Sequence, residues 1–190
     1  MRTGSSLPEA PRRIWTIGHS SRDWHAFAAI LTAAGIEVVA DVRRYAASQR
    51  YPQFAGAALM RGLSDLDIDY RPMPSLGGRR EPRPDSVNTA WRQRGFRGYA
   101  DYMQTAAFID ARAALAEVAG RRPTAFLCAE ADWRNCHRGL IADAFTADGW
   151  EVRHLLDDGR HEIHPLTRAA RLVDGHLDYS LPVPPQGELF

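Results

Sequence analysis

The residues of this sequence best suited to chemistry lie in the stretch Thr124 to Arg138, which reads TAFLCAEADWRNCHR. Both cysteines of the protein fall within it, with an acidic turn between them and the run Cys-His-Arg at its end. A thiol near a histidine, an arginine and the N-terminus of a helix can ionise and act as a nucleophile. A carboxylate at the end of a strand is partly desolvated and can transfer protons. The pattern therefore predicts Cys128, Glu130 and His137 as catalytic residues.

These residues also have structural interpretations, which the sequence leaves open. Cys128 can be a small buried apolar residue, and the second cysteine is more often part of a core than a catalyst. Glu130 can form an ion pair with Arg138, and His137 can simply lie in the first turn of a helix. Zinc binding by both cysteines and His137, with His19 as a further ligand, is disfavoured. The spacing C-x7-C-H matches no standard zinc site, and adjacent ligands are awkward on one helix. We therefore predict no metal ligands.

The spacing of apolar residues indicates which elements position this stretch. Strands are predicted at residues 14–17, 36–40, 68–70, 124–128 and 151–155. Helices are predicted after a cap at Ser20 or Ser21 as far as Gly35, near 55–66, and at 99–119, 135–147 and 166–173. Alternating strands and helices favour a three-layer, Rossmann-like α/β fold with a mainly parallel five-stranded sheet and helices on both faces. We expect the strand order 3-2-1-4-5.

In such a sheet, ligands bind beyond the carboxyl ends of the strands, where the order of the strands reverses. His19 and Ser20 follow the first predicted strand, Asp41 and Arg43 follow the second, and Cys128 follows the fourth. We expect His19 and Asp41 to complete the catalytic group by orienting or polarising the substrate. The residues expected to bind the substrate are Ser20, Arg43, Ser48 and Arg138. For Asp41, an ion pair with Arg43 is the structural alternative.

Composition restricts the class of protein. The 190 residues suit one domain, which we place at 12–173, after a flexible leader at 1–11 and before a C-terminal tail at 174–190. Two cysteines fit a reduced, cytoplasmic protein better than a disulfide scaffold, and no apolar run is long enough for a membrane span. The net charge of +1 argues against a protein whose whole surface is built to hold nucleic acid. The absence of lysine excludes Schiff-base chemistry and leaves arginine, histidine and backbone amides to hold an anion.

An irregular insertion at 71–98 is rich in arginine and has no helical or strand periodicity. Arg79, Arg80 and Arg83 can neutralise phosphates while Trp91 stacks on bases, which suits a nucleotide or single-stranded nucleic acid. The alternative is a solvated loop. We favour a lid over an anionic ligand, because the insertion starts from the third strand. Near the C-terminus, His161 and His164 are interpreted as an exposed polar segment.

Six motifs occur in an order that resembles the domain of unknown function 488 family. They are TIGHS at 16–20, DVR at 41–43, SQRYPQF at 48–54, LGG at 76–78, GYADYM at 98–103, and CAE with CHR at 128–130 and 136–138. Ala46 stands where the family usually has a proline, and Gln49 stands where an arginine often follows the serine. The resemblance covers 14–156 and implies a Rossmann-like fold, but it implies no reaction.

Together these observations predict an enzyme, of the hydrolase or transferase type, that uses Cys128 or Glu130 on a small phosphorylated or nucleotide-like substrate. The sequence does not indicate a cofactor. Two other functions stay open. One is a non-catalytic module that binds nucleotides or nucleic acid through the arginine-rich insertion, and the other is a regulator that responds to oxidation or metals through its thiols.

Overall fold

A computed structural model describes residues 11–157 and 159–181 of the chain. Residues 1–10 of the predicted leader and 182–190 of the predicted tail lie outside the described part. The strands are β1 (Arg13–Gly18), β2 (Val38–Asp41), β3 (Asp69–Pro72), β4 (Thr124–Cys128), β5 (Glu151–Leu155), β6 (His161–Ile163), β7 (Arg171–Val173) and β8 (His176–Asp178). The helices are α1 (Trp24–Ala33), α2 (Gly56–Ser64), α3 (Arg94–Met103), α4 (Ala106–Arg121) and α5 (Arg138–Ala147).

The mixed α/β fold is confirmed, but the predicted order of the strands is wrong. The main sheet has six strands in the order β3-β2-β4-β1-β5-β6, in which strands β1 to β5 are parallel and β6 is an antiparallel edge strand. The prediction placed β1 beside β2, whereas β4 lies between them. All five residues of β4 are buried, while two residues of β1 are partly exposed. Strand β4, which both layers of helices cover, therefore lies at the centre of the sheet.

Helices cover both faces of the sheet, which gives the predicted three layers. On one face, Phe27 and Leu31 of α1 pack with Leu59 and Leu63 of α2 against the sheet. On the other face, α3, α4 and α5 contribute Tyr99, Phe108, Leu115, Leu140 and Phe145. The apolar positions of each helix recur at intervals of three and four residues, so one side of each helix is buried against the sheet.

Local capping explains where several helices begin. Asp23, rather than either predicted serine, caps α1, because its carboxylate accepts the amide of Ala26 at 2.8 Å. The single helix predicted at 99–119 is two helices, since Thr105 accepts the amide of Phe108 and starts α4. The helix predicted from residue 135 begins at Arg138, after a 3-10 turn at Trp133–Asn135.

The C-terminal part of the described chain is packed against the domain. The helix predicted at 166–173 is wrong, because Arg171–Val173 is strand β7, which pairs with β8 in a hairpin. We predicted that His161 and His164 lie in an exposed segment. This prediction is wrong for His164, because its imidazole is fully buried. Tyr179, in the predicted tail, is also buried. In the part of the chain that the structure describes, no helix is long and apolar enough to cross a membrane.

Candidate functional site

A cavity of about 880 Å³ opens at the carboxyl ends of the parallel strands. Its size is within the range of small-molecule binding sites. Segments from four parts of the chain line it: Ser20, Ser21 and His19 after β1; Arg43, Arg44, Tyr45, Ala47, Ser48, Arg50 and Tyr51 after β2; Gly78, Arg79, Gln93, Gly95, Phe96 and Tyr99 of the insertion and α3; and Cys128, Ala129, Glu130, Asn135, Cys136 and His137 after β4. The expected edge of the sheet is therefore the edge that carries the cavity.

Backbone hydrogen bonds join the ends of the three central strands at the floor of the cavity. The amides of His19 and Ser20 donate to the carbonyls of Cys128 and Ala129, at 3.0 and 2.8 Å. On the other side of β4, the amide of Val42 donates to Leu127, at 3.0 Å. Because β4 lies between β1 and β2, the residues after β4 meet the residues after both neighbours.

Arg138 lies beneath the cavity and is not one of its lining residues. Its guanidinium is buried and donates to the hydroxyl of Thr16 at 2.8 Å and to the carbonyls of Glu130 and Ala131 at 2.6 and 3.1 Å. Gly18 permits this approach, since a Cβ there would lie 1.7 Å from the carbonyl oxygen of Glu130. Arg138 therefore fixes the turn that presents Glu130 to the cavity, through the backbone of that turn and not through its carboxylate.

Asp41, Arg43 and His19 form a buried hydrogen-bonded group at one wall. Arg43 makes a bidentate contact with Asp41, with Nε–Oδ1 and Nη2–Oδ2 distances of 2.8 and 2.6 Å, and its Nη1 lies 2.8 Å from the carbonyl oxygen of Phe54. Asp41 also accepts the hydroxyl of Tyr70 at 2.8 Å. Asp41 thus lies behind Arg43 and is not among the residues that line the cavity.

His19 is held as a neutral imidazole in this group. Its Nδ1 lies 2.9 Å from the carbonyl oxygen of Ser20 and its Nε2 lies 3.2 Å from Nη1 of Arg43. Since a carbonyl only accepts and a guanidinium only donates, Nδ1 carries the proton and Nε2 accepts. Burial lowers the pKa of His19 to about 4. With both ring nitrogens engaged, His19 is suited to positioning Arg43 rather than to exchanging protons.

Two thiols and one imidazole converge at the opposite wall. The Sγ atoms of Cys128 and Cys136 lie 3.8 and 3.7 Å from Nδ1 of His137. Nε2 of His137 lies 3.2 Å from the carbonyl oxygen of Val42, so Nε2 is the protonated nitrogen and the lone pair of Nδ1 faces the thiols. A hydrogen bond between the thiols, together with burial, raises the pKa of Cys128, whereas the hydrogen bond from Cys128 lowers the pKa of Cys136.

Cys136 is the member of this cluster that sequence reasoning undervalued. We predicted Cys128 as the reactive thiol and did not predict Cys136, which lines the same cavity and whose pKa is lowered by the hydrogen bond from Cys128. The adjacent histidine in CHR is the only local signal of this role. The meeting of Cys136 with Cys128 depends on how the turn at 129–135 folds, which no periodicity in the sequence indicates.

The rim of the cavity carries arginines that lack carboxylate partners. Among the described residues, Arg44, Arg50 and Arg79 form no ion pair, although most other arginines of the domain do. Nη1 of Arg44 donates to the backbone carbonyl of Arg79 at 2.9 Å, which links the side chain of Arg44 to the backbone of the insertion. Glu130 is the one carboxylate among the residues that line the cavity. Ser48 contributes to the rim and accepts the amide of Tyr51.

The arginine-rich insertion is ordered and supplies part of the cavity wall. Asp101 anchors it by accepting the backbone amide of Arg83 and the side chains of Ser86 and Asn88, at 2.6 to 2.8 Å. Of the residues predicted to bind nucleic acid, only Arg79 lines the cavity. Arg80 stacks on Tyr102, with 3.6 Å between Cζ and the ring centroid. Trp91 packs against Phe96 and Tyr179.

A second polar group, which the sequence did not suggest, lies in the core below the site. The hydroxyl of Thr16 lies 3.0 Å from Nδ1 of His154, Nε2 of His154 lies 2.9 Å from Nδ1 of His164, and Nε2 of His164 lies 3.1 Å from Oδ1 of Asp143. Asp143 also accepts the hydroxyl of Tyr179 at 2.9 Å. Because Thr16 also accepts Arg138, this chain of hydrogen bonds supports the turn that carries Glu130.

Comparison with known proteins places the chain in a family but gives no reaction. Residues 23–145 match the family model described as Domain of unknown function DUF488. No curated protein and no solved structure matches the chain. The matched region contains most of the residues around the cavity, including the DVR segment and the cysteine–histidine cluster, and it spans more than half of the sequence. The chain therefore belongs to the DUF488 family.

Proposed function

We propose that this protein is an enzyme that binds a small phosphorylated or nucleotide-like substrate in the cavity. The observation that carries the proposal is the set of rim arginines Arg44, Arg50 and Arg79, which have no carboxylate partners among the described residues. Guanidinium groups in such a position bind phosphate or carboxylate oxygens with charge-assisted hydrogen bonds. An anionic ligand would therefore supply the charged partners that the described residues do not provide.

The arrangement of the other cavity residues supports an organic anion larger than phosphate. The half-buried rings of Tyr51 and Phe96 contribute aromatic surface to the walls, and rings of this kind stack on nucleobases. Arg50 lies over the ring of Tyr51, with 5.4 Å between Cζ and the ring centroid, so charge and stacking surface are adjacent. A nucleotide would place its phosphate at the arginines and its base against a ring.

The groups available to react lie on the wall formed after β4. Cys128, Cys136 and His137 are packed together there, and Glu130 is exposed on the adjacent turn. In the proposed reaction, a group of the thiol–imidazole cluster attacks or polarises the substrate, and Glu130 exchanges a proton with the leaving group or with water. A hydrolase or a transferase is compatible with this arrangement.

Arg43, Asp41 and His19 would serve this reaction as positioning residues. Asp41 holds the guanidinium of Arg43 in a bidentate contact, and neutral His19 fixes its second edge. Arg43 lines the cavity and would offer a rigid positive group to the substrate. Ser20 and Ser48, both on the cavity wall, would add hydroxyl hydrogen bonds to a polar substrate.

The proposal is tested by measuring the turnover of phosphate esters, nucleotides and N-glycosides by the full chain. Replacing a group that transfers protons or attacks the substrate typically lowers the rate about 100-fold or more. We therefore expect such losses for Cys128→Ser and for Glu130→Gln. The matched control is Arg92→Gln, which changes an exposed arginine of the insertion outside the cavity. Turnover that is indifferent to both Cys128→Ser and Glu130→Gln would reject these residues.

A non-catalytic nucleic-acid or nucleotide-binding module is the second function, because a phosphodiester would also satisfy the rim arginines. Binding of a single-stranded oligonucleotide would then weaken steeply with salt, in proportion to the number of phosphates contacted. Arg79→Glu would weaken binding and Arg92→Glu would not, while Cys128→Ala would have no effect. Binding without turnover of any substrate would favour this module over the enzyme.

A further inference from the structure

Three side chains from two segments, the end of β4 and the start of α5, direct metal-binding atoms to one point. Sγ of Cys128, Sγ of Cys136 and Nδ1 of His137 all lie within 4.8 Å of one another. A hydrogen-bonded chain from one thiol to the other and on to Nδ1 uses only one of the two short sulfur–nitrogen contacts, because Nδ1 has a single lone pair. A cation placed between the three atoms would engage all of them at once.

The two sulfur–nitrogen distances are close to those of a tetrahedral zinc site. Zinc binds thiolate sulfur at about 2.3 Å and imidazole nitrogen at about 2.0–2.1 Å. Two such ligands at a tetrahedral angle have a sulfur–nitrogen separation of about 3.6 Å, by trigonometry from those bond lengths. The observed separations from Nδ1 of His137 are 3.8 Å to Cys128 and 3.7 Å to Cys136. Both sulfur–nitrogen separations therefore exceed the tetrahedral value by only about one or two tenths of an ångström.

The imidazole of His137 is fixed in the form that binds a metal. Its Nε2 lies 3.2 Å from the carbonyl oxygen of Val42 and donates its proton there. Histidines that bind metals usually donate their other ring nitrogen in this way, which sets the tautomer and the orientation of the ring. The ring is also held by Tyr99, whose centroid lies 5.1 Å away.

Cys136 and His137 do not both lie within a helix, so the awkward geometry of adjacent ligands on one helix does not apply to them. Cys136 has an extended conformation, with φ −131° and ψ 145°, and it lies before α5 rather than in it. His137 is the N-cap of α5, with φ −57° and ψ −14°. This change in backbone conformation lets both side chains reach Cys128 from one side of the cavity.

Gly78 leaves space beside the proposed metal ligand. A Cβ at this position would lie 2.9 Å from Nδ1 of His137 and 3.2 Å from its Cγ. The backbone of Gly78 also lines the cavity, so the nitrogen is approached by a segment without a side chain. Any larger residue at 78 would occupy the space next to the lone pair.

We propose that Cys128, Cys136 and His137 form a Zn²⁺ site with three protein ligands and a fourth position that faces the cavity. All three residues line the cavity, so water or a substrate oxygen can reach the open position. Two thiolates neutralise the charge of the ion, and an ion with an open position can act as a Lewis acid on a bound oxygen. A bound ion would take over the polarising role assigned above to the thiol–imidazole cluster, so its three ligands would not attack the substrate themselves; the site is tested by metal binding alone.

The test is a titration of the reduced full-length protein with Co²⁺ and then with Zn²⁺. Cobalt bound by two thiolates and one imidazole gives a sulfur-to-metal charge-transfer absorption and intense visible bands of tetrahedral geometry. We expect both signals to saturate at one equivalent of Co²⁺ and to disappear when Zn²⁺ displaces it. Bound zinc should also protect both cysteines from a thiol-specific reagent in the folded protein.

Two variants and one control distinguish loss of the metal site from loss of the fold. Cys136→Ser should abolish the charge-transfer signal at one equivalent of Co²⁺. Gly78→Ala keeps all three ligands but places a methyl group beside Nδ1, so it should weaken cobalt binding by about 10- to 100-fold, the usual effect of changes around a metal ligand. His25→Gln, which changes an exposed histidine on α1, should bind as the parent does.

The two possible results on the parent protein decide the inference. The site is supported if the charge-transfer signal saturates at one equivalent of Co²⁺ in the parent protein. The signal should be retained in His25→Gln and lost in Cys136→Ser. The inference is overturned if the folded parent protein shows no such signal, retains no stoichiometric zinc, and has thiols that are equally reactive with and without zinc. The two proposals are read out separately: cobalt binding without turnover of any substrate would support the metal site and count against the enzyme, and turnover by a parent protein without the cobalt signal would do the reverse.

Discussion

The chain of buried hydrogen bonds through His154 makes the stability of this protein sensitive to mild acid. Nε2 of His164 donates to Asp143, so Nδ1 of His164 accepts from Nε2 of His154. Nδ1 of His154 then accepts from the hydroxyl of Thr16, which itself accepts from Arg138. A second proton on His154 has no acceptor in this arrangement. Burial, followed by the positive charges nearby, lowers the pKa of His154 to about 2.

The magnitude follows from the linkage between protonation and folding. In the unfolded chain a histidine has a pKa of about 6.5, so it takes up a proton as the pH falls below this value, while native His154 stays neutral. The contribution of neutral His154 to the free energy of unfolding is therefore fully present above about pH 6.5 and is lost as the pH falls below this value. Between about pH 7 and about pH 5 the loss is about 2 kcal/mol for this one group. Little of it is screened, because His154 is only 1% exposed.

The assay is urea denaturation of the full chain at several values between about pH 7 and about pH 5, a range in which carboxylates stay mostly ionised. We expect the free energy of unfolding to fall with acid in the parent protein, and His154→Gln to remove about one proton from the slope. His25→Gln, on the surface of α1, is the matched control. A slope that is identical in the parent protein and in His154→Gln would refute the assignment of a neutral, buried His154.

Three further predictions concern the parts that hold the site. Gly18→Ala should lower the free energy of unfolding by about 3 kcal/mol or more, because its Cβ would overlap the carbonyl oxygen of Glu130. Gly95→Ala, where a Cβ meets nothing within 4 Å, should not lower it, and equal effects in the two variants would contradict the packing argument. Tyr179→Phe should cost about 1 kcal/mol in the same measurement through loss of its bond to Asp143, and no difference from Tyr45→Phe, at an exposed tyrosine, would contradict this. Arg43→Lys should lower the melting temperature and cost about 2 kcal/mol, because lysine cannot keep the bidentate contact with Asp41; a melting temperature equal to that of Arg92→Lys would count against it.

Local sequence signals were sufficient for the elements that are long or strongly apolar. Strands β4 and β5 have the predicted bounds, because a short run of apolar residues between breakers is typical of a buried strand. The short strands β6, β7 and β8 have no such run, and they form by pairing with neighbours and by packing. The break between α3 and α4 was missed because the apolar spacing continues across Thr105, whose hydroxyl caps the second helix.

For the candidate site, the sequence indicated the correct edge of the sheet but not the contacts at that edge. His19, Arg43, Cys128 and His137 do line one cavity, as expected for residues that follow parallel strands. Asp41 and Arg138 lie behind the wall, because a buried carboxylate and a buried guanidinium take partners from the protein first. Their roles toward a substrate stay predictions.

The sequence by itself determined the alternation of strands and helices, the family resemblance and the residue types at the carboxyl edge, since these depend on neighbours along the chain. Only the tertiary structure decided that β4 lies between β1 and β2, that Cys136 joins Cys128 and His137, and that Thr16, His154, His164, Asp143 and Tyr179 form one buried chain. Residues 16 and 154, or 143 and 179, are far apart in sequence. No local periodicity encodes such pairs, because the packing of whole elements sets which of them meet.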